Sequence, residues 1–159
     1  MLTLLSDLFG VGLSEAMALT LEQQFAPVAP ALESIAEQRN LLIQRYRHDQ
    51  PVWDLCFSHP SAGQAKVEVH KIPDSGFMVT GAWWVDDYDS ATRRIKWAER
   101  VSVDSDETSV RKAVERLLDD MLRWQPGQWT RERSDYQKIW HCYSKSQFEA
   151  MTPRWPSPR

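Results

Sequence analysis

Gly76–Val101 reads GFMVTGAWWVDDYDSATRRIKWAERV, and the organisation of the chain follows from it. Phe77, Val79, Gly81, Trp83 and Val85 form one alternating set, and Met78, Thr80, Ala82 and Trp84 form the other. A period of two is the pattern of a strand. The polar run DDYDSA breaks it. Ile95, Trp97, Val101 and Val103 then alternate with Arg94, Lys96, Arg100 and Ser102, predicting a partner strand. Trp83 and Trp84 are neighbours in a strand, so they belong to opposite faces.

The same period extends upstream. Trp53, Leu55 and Phe57 alternate with Asp54, Cys56 and Ser58, and Ala65, Val67 and Val69 alternate with Lys66, Glu68 and His70. SHPSAG and PDSG supply the turns, which makes a four-stranded meander. Downstream, VDSDETS is rich in helix-capping groups. Val110, Ala113, Val114, Leu117, Leu118, Met121 and Leu122 then recur at helical spacing, up to a stop at Gly127. QKIWHCYS reads as a fifth strand or as a helical face, and SKSQFEAM as a short capped helix.

Toward the N-terminus the period is helical. Ser14 caps a helix that runs to Phe25, and Pro27 and Pro30 break it. A second helix starts at Pro30 and, from the spacing of Leu32, Ile35, Ala36, Leu42, Ile43 and Tyr46, continues to about His48. Leu2 to Val11 forms a further short helix. The fold class is therefore α+β: N-terminal helices, a four- or five-stranded antiparallel β-meander, and an amphipathic helix packed on one sheet face. Residues 1–151 make a single domain, and 152–159, with three prolines in TPRWPSPR, make an extended tail.

At 159 residues and 42% hydrophobic, the chain is long enough for a real core. A net charge of −3 supplies no global attraction to nucleic acid. The charge is uneven: residues 1–50 hold six acids and three bases, whereas 126–159 hold three acids and six bases. Two cysteines are too few for a disulfide scaffold, and both sit in apolar runs, which fits a reducing compartment. The first residues lack a basic n-region, and Asp7, Glu15 and Glu22 interrupt them before a membrane span accumulates. The expected location is the cytoplasm, with no membrane contact.

The expected registers make the second tryptophan a surface residue. A three-residue loop at Asp74-Ser75-Gly76 sets Pro73 against Phe77 and Val67 against Trp83. Keeping apolar residues together in the next pair sets Trp83 against Ile95 and Trp84 against Arg94. The core face then carries Trp53, Leu55, Phe57, Val67, Val69, Phe77, Val79, Trp83, Val85, Ile95, Trp97, Val101 and Val103. The other face carries Asp54, Lys66, Glu68, His70, Thr80, Trp84, Arg94, Lys96 and Arg100. Lys66, Trp84 and Arg94 form one row, an indole flanked by two cations. Two readings follow: basic stems covering a surface ring, or a platform for a base, a nucleotide or an acidic segment.

Catalytic signatures are absent from the residue pattern. Asp86, Asp87 and Asp89 crowd three carboxylates into four residues without the glycine-turned spacing a hard-cation loop uses, so the run reads first as a solvated acidic loop, next as an acidic patch for a basic partner, and last as a metal site. Cys56 and His70 share a face, but lie roughly 13 Å apart at ~3.3 Å per residue if Cys56 opposes Lys66. His59 stands alone before Pro60, and His141 and Cys142 point apart in a strand. No metal-ligand spacing and no phosphate-binding glycine loop occurs, so no cofactor is expected. The leading expectation is a non-catalytic cytoplasmic protein that occludes a macromolecular partner, as an immunity protein, antitoxin or phage-type inhibitor does. Its contact residues would be Trp84, Lys66, Arg94, Lys96, Arg100, Asp86, Asp87, Tyr88 and Asp89, and its partner a protein. A nucleotide or single-stranded nucleic-acid binder using the Trp84 face is the second expectation, and a small enzyme the third.

Overall fold

The computed structural model describes residues 19–60, 63–87, 92–97, 100–123, 133–139 and 154–159, with backbone alone for 83–87, 92–97 and 133–139. Three helices are described: α1 (Leu21–Phe25), α2 (Ala29–Arg39) and α3 (Glu107–Arg123). One antiparallel sheet is built from β1 (Leu42–Arg45), β2 (Val52–Ser58), β3 (Gln64–Lys71), β4 (Phe77–Asp87), β5 (Thr92–Trp97), β6 (Val101–Val103) and β7 (Arg133–Ile139). Its order is β1-β2-β3-β4-β5-β7, and β6 also pairs with β4. The fold is α+β, as the periodicity predicts. Ser14, the Leu2–Val11 helix, Gly127 and the SKSQFEAM helix lie outside the described residues.

Helix α3 is where the sequence expectation and the structure agree most closely. Asp106 Oδ1 accepts from the Ser109 backbone N–H at 2.8 Å, closing the first turn. Val110, Val114, Leu117, Leu118 and Met121 are buried against the sheet. Phe25, Val28, Leu32 and Ile35 from α1 and α2 join them, with Trp53, Leu55, Phe57, Val67, Val69, Phe77 and Val79 from the sheet, in one core. Helix α1 begins with a capping box, in which Thr20 and Gln23 each bond the other's backbone N–H.

Two elements depart from expectation near residue 40. Helix α2 stops at Arg39, because Asn40 takes a left-handed conformation (φ 55°) and its N–H closes on the Ala36 and Glu37 carbonyls. Leu42 and Ile43 then leave the helix to form β1 on the outer edge of β2. The tail, at residues 154–159, carries no helix or strand and is anchored. Ser58 N–H donates to Pro156 O (2.8 Å), Asn40 Nδ2 to Ser157 O (2.9 Å) and the Arg159 guanidinium to Glu37 O (2.9 Å). It continues the lane of β1 beside β2 and supplies donors to carbonyls at the end of α2.

The β2–β3 register has Cys56 opposite Lys66 and Ser58 opposite Gln64, as expected. The β3–β4 pairing is offset by two residues from expectation: Val67 faces Gly81, and Ala65 faces Trp83. An even offset keeps every residue on its face. The turn responsible is Pro73-Asp74-Ser75, closed by Ile72 N–H to Gly76 O at 3.0 Å, with Asp74 as the left-handed residue (φ 55°).

Gly76 therefore serves another purpose. A Cβ there would lie 1.8 Å from the Val103 carbonyl oxygen, because β6 crosses at backbone contact. Gly76→Ala is expected to cost about 1–3 kcal/mol as β6 is forced off β4, measured by urea unfolding. A neutral result would mean that β6 is not held against this turn.

The β4–β5 register is the larger correction. Trp84 faces Ile95 and Trp83 faces Lys96, a slip of one residue from the expected pairing. On the other side of the break, Val101 faces Val79 and Val103 faces Phe77. Three residues therefore separate Trp97 from Val101, against two between Ala82 and Val79, an excess of one that reverses the parity between β5 and β6. Val101 and Val103 keep core parity, while Ile95 and Trp97 share parity with Trp84, and Arg94 and Lys96 with Trp83. The physical reason is that the sheet is buried on both faces. Asp54, Cys56, Lys66, Glu68, Thr80 and Ala82 on the second face are all buried. Apolar residues of β5 are thus not obliged to join the helical side.

Candidate functional site

Two places gather the candidate residues: a buried ionic cluster on the second sheet face, and the far end of the β4–β5 pair.

The cluster grows from the β2–β3 register. Asp54 stands directly opposite Glu68, and Glu68 directly opposite Thr80. Like charges facing across strands repel, and burial intensifies the repulsion. Two cations answer it. Lys66 Nζ lies 3.3 Å from Asp54 Oδ2 and 3.7 Å from Glu68 Oε2. The Arg47 guanidinium bridges both carboxylates, Nε to Asp54 Oδ2 and Nη2 to Glu68 Oε1, each at 3.2 Å. His70 Nε2 adds a contact at 3.4 Å to Glu68 Oε1.

Arg47 reaches this face through unusual backbone. Tyr46 (φ 52°), His48 (φ 54°) and Asp49 (φ 57°) all occupy the left-handed region in and beside the 3-10 turn Arg47–Asp49. Each such residue costs roughly 1–2 kcal/mol. Tyr46 packing edge-on against Phe25 and Trp53, and Arg47 joining two buried carboxylates, offset that strain.

The two carboxyls differ in their proton affinity. Burial raises the pKa of Asp54 above its ordinary value, more than Lys66 and Arg47 lower it. Burial also pushes Glu68 upward, but the His70 hydrogen bond, Lys66 and Arg47 together outweigh it and hold Glu68 below its ordinary value. Cys56, on the same face, is pushed up to about 12 by burial and then by the Asp54 charge. It is a packed thiol and not a nucleophile. In a Cys142→Ser background, native Cys56 should react with a disulfide reagent at neutral pH about a thousandfold more slowly than in the unfolded chain. Equal rates would revive thiol chemistry.

The structure separates the expected platform. Lys66 is buried in the cluster, opposite Ala82 and not Trp84. Arg94 pairs with Val85, and Lys96 with Trp83, so neither shares parity with Trp84. Arg100 is exposed between β5 and β6. Trp84, Asp86 and Asp87 lie on the last residues of β4, with Asp86 opposite Arg93 and Asp87 opposite Thr92. Tyr88 and Asp89 lie outside the described residues, within the connection 88–91. The β3 strand begins at Gln64, at the level of Trp84, so Val85–Asp87 extend past it by about 10 Å at ~3.4 Å per residue.

Other candidates resolve simply. His59 is buried, its Nε2 lies 2.5 Å from the Met121 carbonyl at the end of α3, and burial lowers its pKa despite that bond. It fastens the β2–β3 connection to the helix. A surface hollow of about 330 Å³ lined by Ser75, Ser102, Val103, Asp104 and Ser109 sits at the opposite end of the sheet from the β4–β5 tip. Among the described residues, no group of three or more His, Cys, Asp and Glu side chains could hold a metal ion, and no helix is long and apolar enough to cross a membrane.

The acid pair could have been found from sequence, since Asp54 opposite Glu68 follows from the β2–β3 register. Arg47 could not, because its segment carries a helical period. No family model, curated protein or solved structure matches the chain.

Proposed function

We propose that this chain is a small non-catalytic binding protein that occludes a protein partner in the cytoplasm, in the manner of an immunity protein, an antitoxin or a phage-type inhibitor. The β4–β5 arm is the contact element of this reading. One observation carries it: Asp86 and Asp87 lie on the stretch of β4 that runs past β3, with Trp84 at its base and Arg94 and Lys96 on the strand paired to it. The end of β4, running past β3 and flanked on its other side by β5 and β7, offers charged residues to a partner on a sheet support. Burial of Cys56, with its pKa at about 12, favours binding over thiol catalysis. The nucleotide-platform reading rested on the Lys66–Trp84–Arg94 row, which the observed registers leave without its geometry.

The test is affinity capture from the native host, with mass spectrometry and nucleic-acid extraction of what co-purifies. A stoichiometric protein should appear. The pair Asp86→Lys and Asp87→Lys, checked for native circular dichroism, should weaken its binding by about 2 kcal/mol or more, some thirtyfold. Retention of nucleic acid, lost steeply with salt, would favour the second expectation instead. An unchanged affinity in the charge-reversed variant would remove the arm from the interface.

A further inference from the structure

The ionic cluster leaves three buried oxygens unanswered, and they share one row. Asp54 Oδ1, Glu68 Oε2 and Thr80 Oγ1 are all solvent-inaccessible and without a hydrogen-bond partner. Their residues are directly opposed across three adjacent strands, Asp54 to Glu68 and Glu68 to Thr80. Asp54 is 0% exposed, Glu68 3% and Thr80 1%. The cations are engaged elsewhere on the same carboxylates. Asp54 gives its Oδ2 to both Lys66 and Arg47, and Glu68 gives its Oε1 to Arg47 and His70. Lys66 approaches Glu68 Oε2 only at 3.7 Å, beyond hydrogen-bond length.

Buried polar atoms are almost always satisfied, and an orphan marks a ligand or an ordered water. Three on one row are beyond coincidence for ordinary packing. We propose that the Asp54–Glu68–Thr80 row is a binding site for internal water. The site's charge selects the ligand. Among the described residues, two carboxylates are matched by Lys66 and Arg47, so the row itself presents no unmatched charge for an ion. A metal ion would sit beside two fixed positive charges, which repel it most strongly where burial lowers the dielectric. A free anion would face two carboxylates. Water carries no charge, donates its two hydrogens to the two carboxylate oxygens, and accepts from the Thr80 hydroxyl. Buried waters make about three hydrogen bonds each, which is the number of orphan atoms here.

The experiment reads a sign. Thr80→Val keeps the side-chain shape and removes the hydroxyl. If the hydroxyl holds water, the variant loses that bond, and Tm should fall by several degrees. If the hydroxyl is a true orphan, removing it relieves an unsatisfied group, and Tm should stay or rise. Packing changes alone could lower Tm, so water is detected directly. Water–amide cross-relaxation by NMR should show long-lived water beside the Glu68 and Thr80 amides in the wild-type protein. The signal should be lost in Thr80→Val and kept in Thr80→Ser. Absence of long-lived water in the wild type overturns the proposal, as does its persistence in Thr80→Val. Titration with sodium, magnesium or calcium chloride at matched ionic strength should leave Tm unmoved, and a saturable rise would replace water by a cation.

Discussion

Lys66→Met is expected to destabilise the protein by about 3–5 kcal/mol, because it strips the buried cation from two buried carboxylates. The lysine is 9% exposed, and the carboxylates it touches are 0% and 4% exposed. Methionine matches its volume, so the loss is electrostatic and not a cavity. Arg47 remains but is one-third exposed, and one cation cannot neutralise two opposed acids. The loss should depend on pH. Lys66 lowers the pKa of both Asp54 and Glu68, so its removal raises both. The folded variant then holds protons that the wild type has released. A folded pKa raised above the unfolded value gives stability that is present at low pH and lost as pH rises through it. The gap between variant and wild type should therefore be widest at neutral pH and should narrow as pH falls toward the ordinary carboxyl values of 3.8 and 4.5. Adding Asp54→Asn to Lys66→Met should recover a large part of the loss, since breaking a buried pair costs more than replacing it. A deficit under about 1 kcal/mol in urea melts, or one that widens in acid, would mean that the cluster is hydrated and open.

That cluster also marks how far periodicity carries. Alternation located β2, β3 and β4, and the helical stripe located α3, because in each a long run of apolar residues repeats on one face. The four residues of β1 were hidden. Leu42, Ile43 and Tyr46 continue the spacing of α2, and only the left-handed turn at Asn40 ends the helix. The β5 pairing failed for a different reason. Grouping apolar residues fixes a register only if one face is dry and the other wet. Here both faces of β2, β3 and β4 are buried, and a one-residue excess before Val101 lets β5 reverse its parity while β6 keeps it. The expected platform depended on a single unbroken register, so one inserted residue was enough to dissolve it. Asp86 and Asp87, expected in the loop after Val85, instead continue β4, because β5 pairs with them and carries the ladder two residues further.

Trp53→Ala is expected to cost about 3–5 kcal/mol, the range for truncating a buried aromatic. The indole is 2% exposed and lies parallel to Phe25, with ring centres 5.3 Å apart and planes 4° from parallel. Tyr46 meets it edge-on at 5.8 Å, and the Arg45 guanidinium lies 5.0 Å from the ring centre. Three segments therefore converge on one side chain: α1 through Phe25, β1 through Arg45, and the 3-10 turn through Tyr46. Phe25 also packs at 5.2 Å against Phe77, which ties the stack to β4. Truncation should do more than open a cavity. Tyr46 helps hold the left-handed segment that carries Arg47, so loosening it should free Arg47 from Asp54 and Glu68. Amide hydrogen exchange should accordingly speed up in α1 and around residues 46–50 well before α3 is affected. Trp53→Phe separates the two effects. It keeps a ring on Phe25 and removes the buried indole N–H, which has no hydrogen-bond partner, so it should cost less than half as much. Equal costs for Phe and Ala would mean that the stack contributes little and that indole volume alone fills the site. Uniform exchange across α1 and α3 in Trp53→Ala would mean that the ionic cluster is anchored by the sheet alone, and that Tyr46 does not carry Arg47 to it.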